Sequence, residues 1–188
     1  MARVIRAVGP CLLPKRPSRY AALVGAIISQ QVSVHAARAV QGRLRQAAGG
    51  YLSAARIDKL SPARIRAAGL SAAKSAYVAG LTENVISGRL RLDDIHRLDD
   101  EAVIERLVAV KGIGRWTAEM FLMFVLNRPD VMPTGDLGIK NGFKKVYRLR
   151  ALPSEKKMLA LSQPWRPYRT IGSWYLWRSL SVDKIPAA

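Results

Sequence analysis

Apolar residues recur at spacings of three and four along most of this chain, and this period constrains the fold more than any other feature. Tyr77, Val78, Leu81, Val85 and Ile86 follow it within one segment. An α-helix brings such positions to one face, whereas a half-buried strand alternates every second residue. No convincing alternation bounded by hairpin dipeptides interrupts the pattern. The sequence therefore predicts an all-α protein.

Capping residues and glycines divide the pattern into helices. Ser61-Pro62, Ser71 and Asp99 are typical helix starts, and Gly88 is a typical end. The predicted helical segments are one stripe from Tyr20 to Leu44 that Gly49-Gly50 stops, then about 61–68, 71–88, 99–111, 115–126, 136–147, 154–162 and 167–180. The run from Trp116 to Leu126 is almost wholly apolar, which predicts a helix buried on most sides.

The charge of the chain is strongly positive and unevenly distributed. Its 188 residues include 31 Lys+Arg and 13 Asp+Glu, a formal net charge of +18. Residues 1–50 hold eight basic side chains and no acid, and residues 134–188 hold eleven against three. Segregated positive charge indicates a surface for a polyanion, with nucleic acid as the leading partner. A surface solvated on all sides and binding to anionic lipid are the alternatives.

Residues 110–114 (VKGIG) place two glycines in a short link between predicted helices. Such a link allows a tight turn, and the second helix then presents unpaired backbone N–H groups at its start. With Lys111 and Arg115 on either side, this end could bind a phosphate. A simple corner between two helices is the alternative.

Several segments in order carry a family resemblance. Residues 110–118 (VKGIGRWTA), 130–136 (DVMPTGD) and 137–140 (LGIK) resemble the helix-hairpin-helix DNA glycosylase superfamily, with the 3-methyladenine DNA glycosylase II branch as the nearest match. Further matches are 27–33 (IISQQVS), 69–71 (GLS) with Lys74, and 165–169 (WRPYR). The resemblance covers about residues 19–180.

The resemblance implies the fold and the activity. It implies a helix-hairpin-helix glycosylase fold with two helical lobes and an active-site cleft between them. Residues 1–188 would form a single unit, with the hairpin at about 99–126 and the lobes at about 19–98 and 127–183 together with the N-terminal segment. The implied function is monofunctional hydrolysis of the N-glycosidic bond of alkylated purines in duplex DNA. A non-catalytic DNA-binding module is the alternative, and a lyase is disfavoured because Trp116 stands where bifunctional relatives place a lysine.

The resemblance also implies roles for individual residues. Asp136 takes the catalytic position, with Asp130 as the runner-up, although a helix N-cap is an equally common role for an aspartate in this context. The pocket residues are Trp116, Met120 and Trp177, whereas Trp165 and Trp174 are expected to pack in the core. Gln31 is the expected wedge in the DNA, and the hairpin contacts to DNA fall on Lys111, Gly112, Ile113, Gly114, Arg115 and Thr117.

Cofactor and partner expectations follow from the same reasoning. Backbone carbonyls of Val108, Val110 and Ile113 are implied to bind a sodium or potassium ion, and no other cofactor is expected. The single cysteine, Cys11, excludes an internal disulfide and an iron–sulfur cluster with four cysteine ligands. The expected partner is damaged double-stranded DNA, bound by a monomer in the bacterial cytoplasm at the nucleoid and without a membrane. His35 could reach a phosphate.

Overall fold

A computed structural model of the chain describes residues 1–13 and 18–182. Within these ranges every element of regular secondary structure is a helix, which confirms the predicted all-α class. The helices are α1 Ala2–Val8, α2 Arg19–Ser29, α3 Val34–Ala47, α4 Ala54–Ile57, α5 Pro62–Ala67, α6 Ala72–Ile86, α7 Asp100–Val108, α8 Arg115–Phe124, α9 Leu137–Val146, α10 Glu155–Ser162 and α11 Arg169–Leu180. Two short 3-10 turns lie at Ile95–Arg97 and Gln163–Trp165.

The predicted helix starts agree closely with the structure. The side chains of Ser61, Ser71, Asp99 and Ser154 each accept the backbone N–H three residues further on. Each bond satisfies one of the N–H groups that a helix leaves without an intrahelical partner. Local capping chemistry therefore fixes where α5, α6, α7 and α10 begin.

The predicted stripe from Tyr20 to Leu44 was wrong as a continuous element. The structure forms two helices there, α2 and α3, separated by residues 30–33. Gln31 adopts a left-handed backbone with φ 54°, and Ser33 accepts the N–H of Ala36 at 3.2 Å to begin α3. A period of three and four in the side chains does not reveal such a break, because both helices bury a face.

The helix after the hairpin is buried on most sides, as predicted. Ala118, Leu122 and Met123 are fully buried, but the Trp116 side chain at its start is 48% exposed. Within α8 only Arg115 and Trp116, at its start, are exposed, and the other residues are buried or partly buried.

Two short helices, α1 and α4, were not predicted, since their seven and four residues give too little periodicity. Helix α1 packs on α11. Its Val4 side chain is 1% exposed, and the Tyr175 hydroxyl of α11 donates to the Gly9 carbonyl at 2.9 Å. The N-terminal segment is therefore part of a folded core.

The chain forms two compact units. The hairpin unit comprises Lys15–Phe121, and the aspartate unit comprises Met1–Pro14 with Leu122–Ala188. The hairpin unit has a core of aliphatic side chains that includes Leu23, Ile27, Val78, Leu81 and Leu107. The core of the aspartate unit is built from Met132, Ile139, Phe143, Met158 and Leu176.

Candidate active site and DNA-binding hairpin

The carboxylate of Asp136 is fixed by two donors in the aspartate unit. Asp136 precedes α9 and its Oδ1 accepts the backbone N–H of Ile139 at 2.6 Å. The indole Nε1 of Trp177 on α11 donates to the same oxygen at 2.9 Å. Asp136 is therefore the N-cap of α9, as the alternative interpretation held. The indole bond gives this cap a second function, since it orients the carboxylate toward a defined direction.

Gly138 makes the contact between Trp177 and Asp136 sterically possible. A Cβ atom at this position would lie 2.8 Å from Cδ1 and 2.9 Å from Nε1 of Trp177, and 3.0 Å from Oδ1 of Asp136. Gly138 lies in the 137–140 motif, for which the sequence predicted no individual role. Its role depends on the tertiary contact with Trp177, so the local sequence carries no signal for it.

Asp130, the runner-up for catalysis, is committed to ion pairs. Its Oδ1 accepts Nε of Arg169 at 2.7 Å and its Oδ2 accepts NH2 of the same guanidinium at 2.9 Å, with Arg166 Nε at 3.1 Å. Burial raises the pKa of Asp130, but the hydrogen bonds and positive charges of the two arginines outweigh burial and hold it below its ordinary value. The geometry assigns Asp130 to anchoring the start of α11.

The two hairpin glycines differ in what requires them. Gly112 has a left-handed backbone with φ 93°, and a Cβ there would lie 2.4 Å from the ring of Tyr77. A Cβ on Gly114 would meet nothing within 4 Å. The turn therefore requires a glycine at position 112, whereas position 114 has room for a side chain. Because Gly114 has no side chain, the backbone at the start of α8 is accessible from solvent.

The surroundings of Thr117 and Arg115 limit how these two predicted hairpin residues could contact DNA. The Thr117 side chain is 5% exposed because it lies on the core side of α8, so only its backbone could reach DNA. Arg115 pairs with Glu101 at 2.6 Å and with Glu119 at 3.4 Å. The hydrogen bond from Arg115 is the main cause that lowers the pKa of Glu101. Part of the Arg115 charge is thus compensated within the protein, whereas Lys111 is exposed.

The remaining predicted residues are placed as follows. Gln31 is exposed in the break between α2 and α3, and His35 is exposed in the first turn of α3. Trp116 and the partly buried Met120 lie four residues apart and share one face of α8. Trp177 is partly buried against Phe124, with ring centroids 5.8 Å apart.

The two tryptophans expected to pack do contact aromatic neighbours. Trp165 stacks on Phe143 at 5.4 Å with an interplanar angle of 4°. Trp174 meets Tyr175 edge-on at 5.0 Å. The Trp165 contact belongs to the core of the aspartate unit.

Several basic side chains of the hairpin unit serve an internal purpose that the charge count did not reveal. Each donates to backbone carbonyl oxygens, mostly at helix C-terminal ends, where such groups lack intrahelical partners. These bonds run from Arg19 to Leu92 and Asp93, from Arg43 to Ala68, from Arg56 to Ala48 and Gly49, and from Lys74 to Ile28 and Gln30. The positive charge is therefore partly structural.

The proposed ion ligands lie in the hairpin. The Val110 carbonyl accepts the N–H of Ile113 at 3.0 Å, and this hydrogen bond closes the turn of the hairpin. Carbonyl oxygens are hard, neutral ligands that suit a hard cation. In the described residues no group of three or more His, Cys, Asp or Glu side chains could hold a metal ion.

Among the helices of residues 1–13 and 18–182, none combines the length and apolar character that crossing a bilayer requires.

Comparison with known proteins identifies the family. Residues 24–167 match the HhH-GPD superfamily of base excision DNA repair proteins, and the chain belongs to this superfamily. DNA-3-methyladenine glycosylase 1 of Schizosaccharomyces pombe is 37% identical over 183 residues, which cover 94% of this chain and 80% of that protein.

Two solved structures are similar to the whole fold. One is Schizosaccharomyces pombe 3-methyladenine DNA glycosylase (Mag1) in complex with abasic DNA, with a TM-score of 0.84, 36% identity, and coverage of 97% of this chain and 91% of that one. The other is a DNA-3-methyladenine glycosidase from Bacillus halodurans, with a TM-score of 0.85, 38% identity, and coverage of 95% and 84%.

Proposed function

We propose that this protein is a monofunctional DNA glycosylase that hydrolyses the N-glycosidic bond of alkylated purines of the 3-methyladenine type in duplex DNA. The observation that carries the proposal is the Asp136 carboxylate, held at Oδ1 by the Ile139 N–H and the Trp177 indole at the start of α9. The chain belongs to a base excision repair superfamily, and base excision is a reaction that such a carboxylate can catalyse.

The reaction needs one well-placed carboxylate. As the bond between C1′ and the base nitrogen breaks, its electron pair leaves with the base and positive charge develops on the sugar. The Asp136 carboxylate stabilises this charge and accepts a proton from the water whose oxygen bonds to C1′. Because two donors already fix Oδ1, the carboxylate requires little reorganisation when the charge appears.

The assigned pocket side chains favour a cationic base. Trp116 and Trp177 offer aromatic faces, and a cation over such a face gains about 0.5 to 2 kcal/mol. Alkylation at N3 or N7 of a purine produces this cation and also improves the leaving group. Met120 contributes an adaptable thioether that fits adducts of different shape.

DNA is held mainly through backbone groups of the hairpin. The N–H groups near Gly114 receive one phosphate, with Lys111 as the adjacent cation and the dipole of α8 in support. Gln31 fills the gap that the extruded base leaves, which offsets part of the unstacking cost. A sodium or potassium ion bound by the carbonyls of Val108, Val110 and Ile113 would add positive charge near this phosphate.

The protein acts as a monomer on damaged double-stranded DNA, at the nucleoid of a bacterial cytoplasm, and requires no cofactor. It leaves abasic sites uncut because Trp116 cannot form an imine at the position where bifunctional relatives carry a lysine.

The experiment that tests the proposal is base release from methylated duplex DNA under single-turnover conditions. Asp136→Asn should reduce release by at least about a hundredfold, because the transition-state charge loses its stabiliser, while DNA affinity stays nearly unchanged. Asp99→Asn is the matched control, since Asp99 also caps a helix by accepting the Ala102 N–H at 2.9 Å. That variant should retain full activity.

Two outcomes would contradict parts of the proposal. Normal turnover by Asp136→Asn would remove the catalytic assignment, and damage-dependent binding by a wild-type protein that releases no base from any lesion would favour a non-catalytic DNA-binding protein. A covalent adduct with DNA trapped by borohydride would contradict the monofunctional mechanism.

A further inference from the structure

We propose that Lys74 and Gln30 connect the wedge loop, residues 30–33, rigidly to the hairpin, so that the two loops move together. Phosphate capture at the hairpin then sets the position of the Gln31 side chain. Lys74 and Gln30 are positioning residues in this account. The inference rests on the proposed function for the roles of Gln31 and the hairpin, and it goes beyond that function by coupling the two.

Lys74 holds the end of α2 from which the wedge loop begins. Its Nζ donates to the carbonyl of Ile28 at 2.8 Å and to the carbonyl of Gln30 at 2.6 Å. These carbonyls lie where a helix leaves acceptors without intrahelical donors. The ammonium group therefore replaces the missing donors and fixes the backbone on the N-terminal side of Gln31.

The backbone of Gln31 needs such support. Its φ of 54° is in the left-handed region, which is unfavourable for a non-glycine residue and persists where the surroundings enforce it. The Gln31 side chain is exposed. The restraint on this residue thus comes through the backbone that Lys74 anchors.

Gln30 extends the connection to the hairpin. Its Nε2 donates to the Gly112 carbonyl at 2.9 Å, across 82 positions in the sequence. The Tyr77 ring lies against the other side of Gly112, so close that a Cβ there would be 2.4 Å from it. Lys74 and Tyr77 are three residues apart on α6 and share a face. One helix therefore braces both the wedge loop and the hairpin.

A rigid connection has a measurable consequence. When a phosphate fixes the hairpin, the contacts of Lys74 and Gln30 place Gln31 at a fixed distance from that phosphate along the DNA. The energetic contributions of the hairpin and the wedge then depend on one another. If these contacts are removed, the wedge loop and the hairpin bind DNA independently, and their contributions to the binding free energy add.

A double-mutant cycle tests this coupling. Gln31→Ala and Gly114→Ala, singly and together, are measured for affinity toward a duplex containing a tetrahydrofuran abasic analogue. In the wild-type background we expect the effects to deviate from additivity by about three- to tenfold. In a Lys74→Met background the same cycle should be additive within about twofold. Unchanged non-additivity in Lys74→Met would overturn the inference.

A matched control separates positioning from a general loss of helix capping. Arg56 also donates from one side chain to two carbonyls at a helix end, Ala48 at 2.9 Å and Gly49 at 2.7 Å, within the same unit. Arg56→Met should preserve the non-additivity of the wild type, and its loss in this control would overturn the specific role of Lys74. Lys74→Arg should restore the coupling, because a guanidinium can donate to both carbonyls.

A second variant keeps the test decisive if Lys74→Met fails to fold. Gln30→Met removes only the bond to the Gly112 carbonyl and should also make the cycle additive within about twofold. The assay needs no catalysis, so its outcome is separate from that of the proposed function. If the wild-type protein releases base but the effects of the two substitutions on affinity add, only the coupling through Lys74 and Gln30 is overturned. If the effects deviate from additivity but no base is released, only the glycosylase activity is overturned.

Discussion

Replacing Gly138 by alanine should disable catalysis while leaving the fold intact. The added Cβ would lie 2.8 Å from Cδ1 of Trp177, whereas carbon atoms in ordinary contact are about 3.5 Å apart. The indole must therefore move by roughly 0.7 Å, the difference between these two distances. Movement of this size directly away from the added Cβ would lengthen the 2.9 Å bond between Trp177 and Asp136 to about 3.3 Å, beyond the usual N–H···O range, and would weaken it.

The expected loss of rate follows from the loss of orientation. A displacement approaching 1 Å at a reacting group can cost about a hundredfold, so we expect a ten- to hundredfold slower single-turnover release of 3-methyladenine. The free energy of unfolding should fall by only about 1 to 2 kcal/mol, because one partly buried ring has to shift. Rapid-quench measurement of base release, together with urea unfolding, checks both values.

Gly142 provides the matched control on the same helix. It lies four residues further along α9, and a Cβ there would lie 2.8 Å from both Cβ and the backbone oxygen of Leu176. Gly142→Ala should destabilise the protein at least as much as Gly138→Ala, since backbone yields less readily than a ring. Its folded fraction should release base at the wild-type rate. Full activity in Gly138→Ala, or equal rate losses in both variants, would refute the argument.

The site and the hairpin support four further predictions. Gly112→Ala should lower the free energy of unfolding by about 2 kcal/mol, because its left-handed backbone and the Tyr77 ring exclude a side chain. Gly114→Ala should leave stability within about 0.5 kcal/mol and weaken binding of damaged and undamaged duplex alike, and a loss confined to damaged DNA would contradict the phosphate role. Asp130→Asn should destabilise by about 2 kcal/mol at pH 7 in urea titrations. Because the native pKa of Asp130 is depressed, this difference should be complete above the ordinary value of 3.8 and shrink as the pH falls below it. Trp177→Ala should slow release of cationic 7-methylguanine more than release of neutral hypoxanthine by about two- to thirtyfold, whereas equal losses would contradict the cation contact and limit Trp177 to orienting Asp136.

Most helix positions could be predicted because short-range chemistry determines them. Ser61, Ser71 and Asp99 act within one turn, so their caps are readable without tertiary information. The break at Gln31 could not be predicted, since Lys74 and Gly112 stabilise it from 43 and 81 positions away. A left-handed glutamine has no local signature in the sequence.

The resemblance implied the candidate residues of the site, but not the contacts that hold them. It ranked Asp136 above Asp130, and the structure shows two arginines paired with the Asp130 carboxylate. The hydrogen bond between Trp177 and Asp136 joins residues 41 positions apart. The role of Gly138 depends on this tertiary contact and could not be derived from local patterns.

The arginines and the lysine that donate to backbone carbonyls change how the protein should respond to salt. Each phosphate that a protein neutralises on duplex DNA contributes about 0.9 to the slope of log affinity against log salt concentration. If Arg19, Arg43, Arg56 and Lys74 remain on their carbonyls in the complex, a count of basic residues overstates that slope by about 3.6, four times this value. The ionic-strength sensitivity of binding therefore measures how many cations face outward, and substitutions meant to tune it should avoid these four positions.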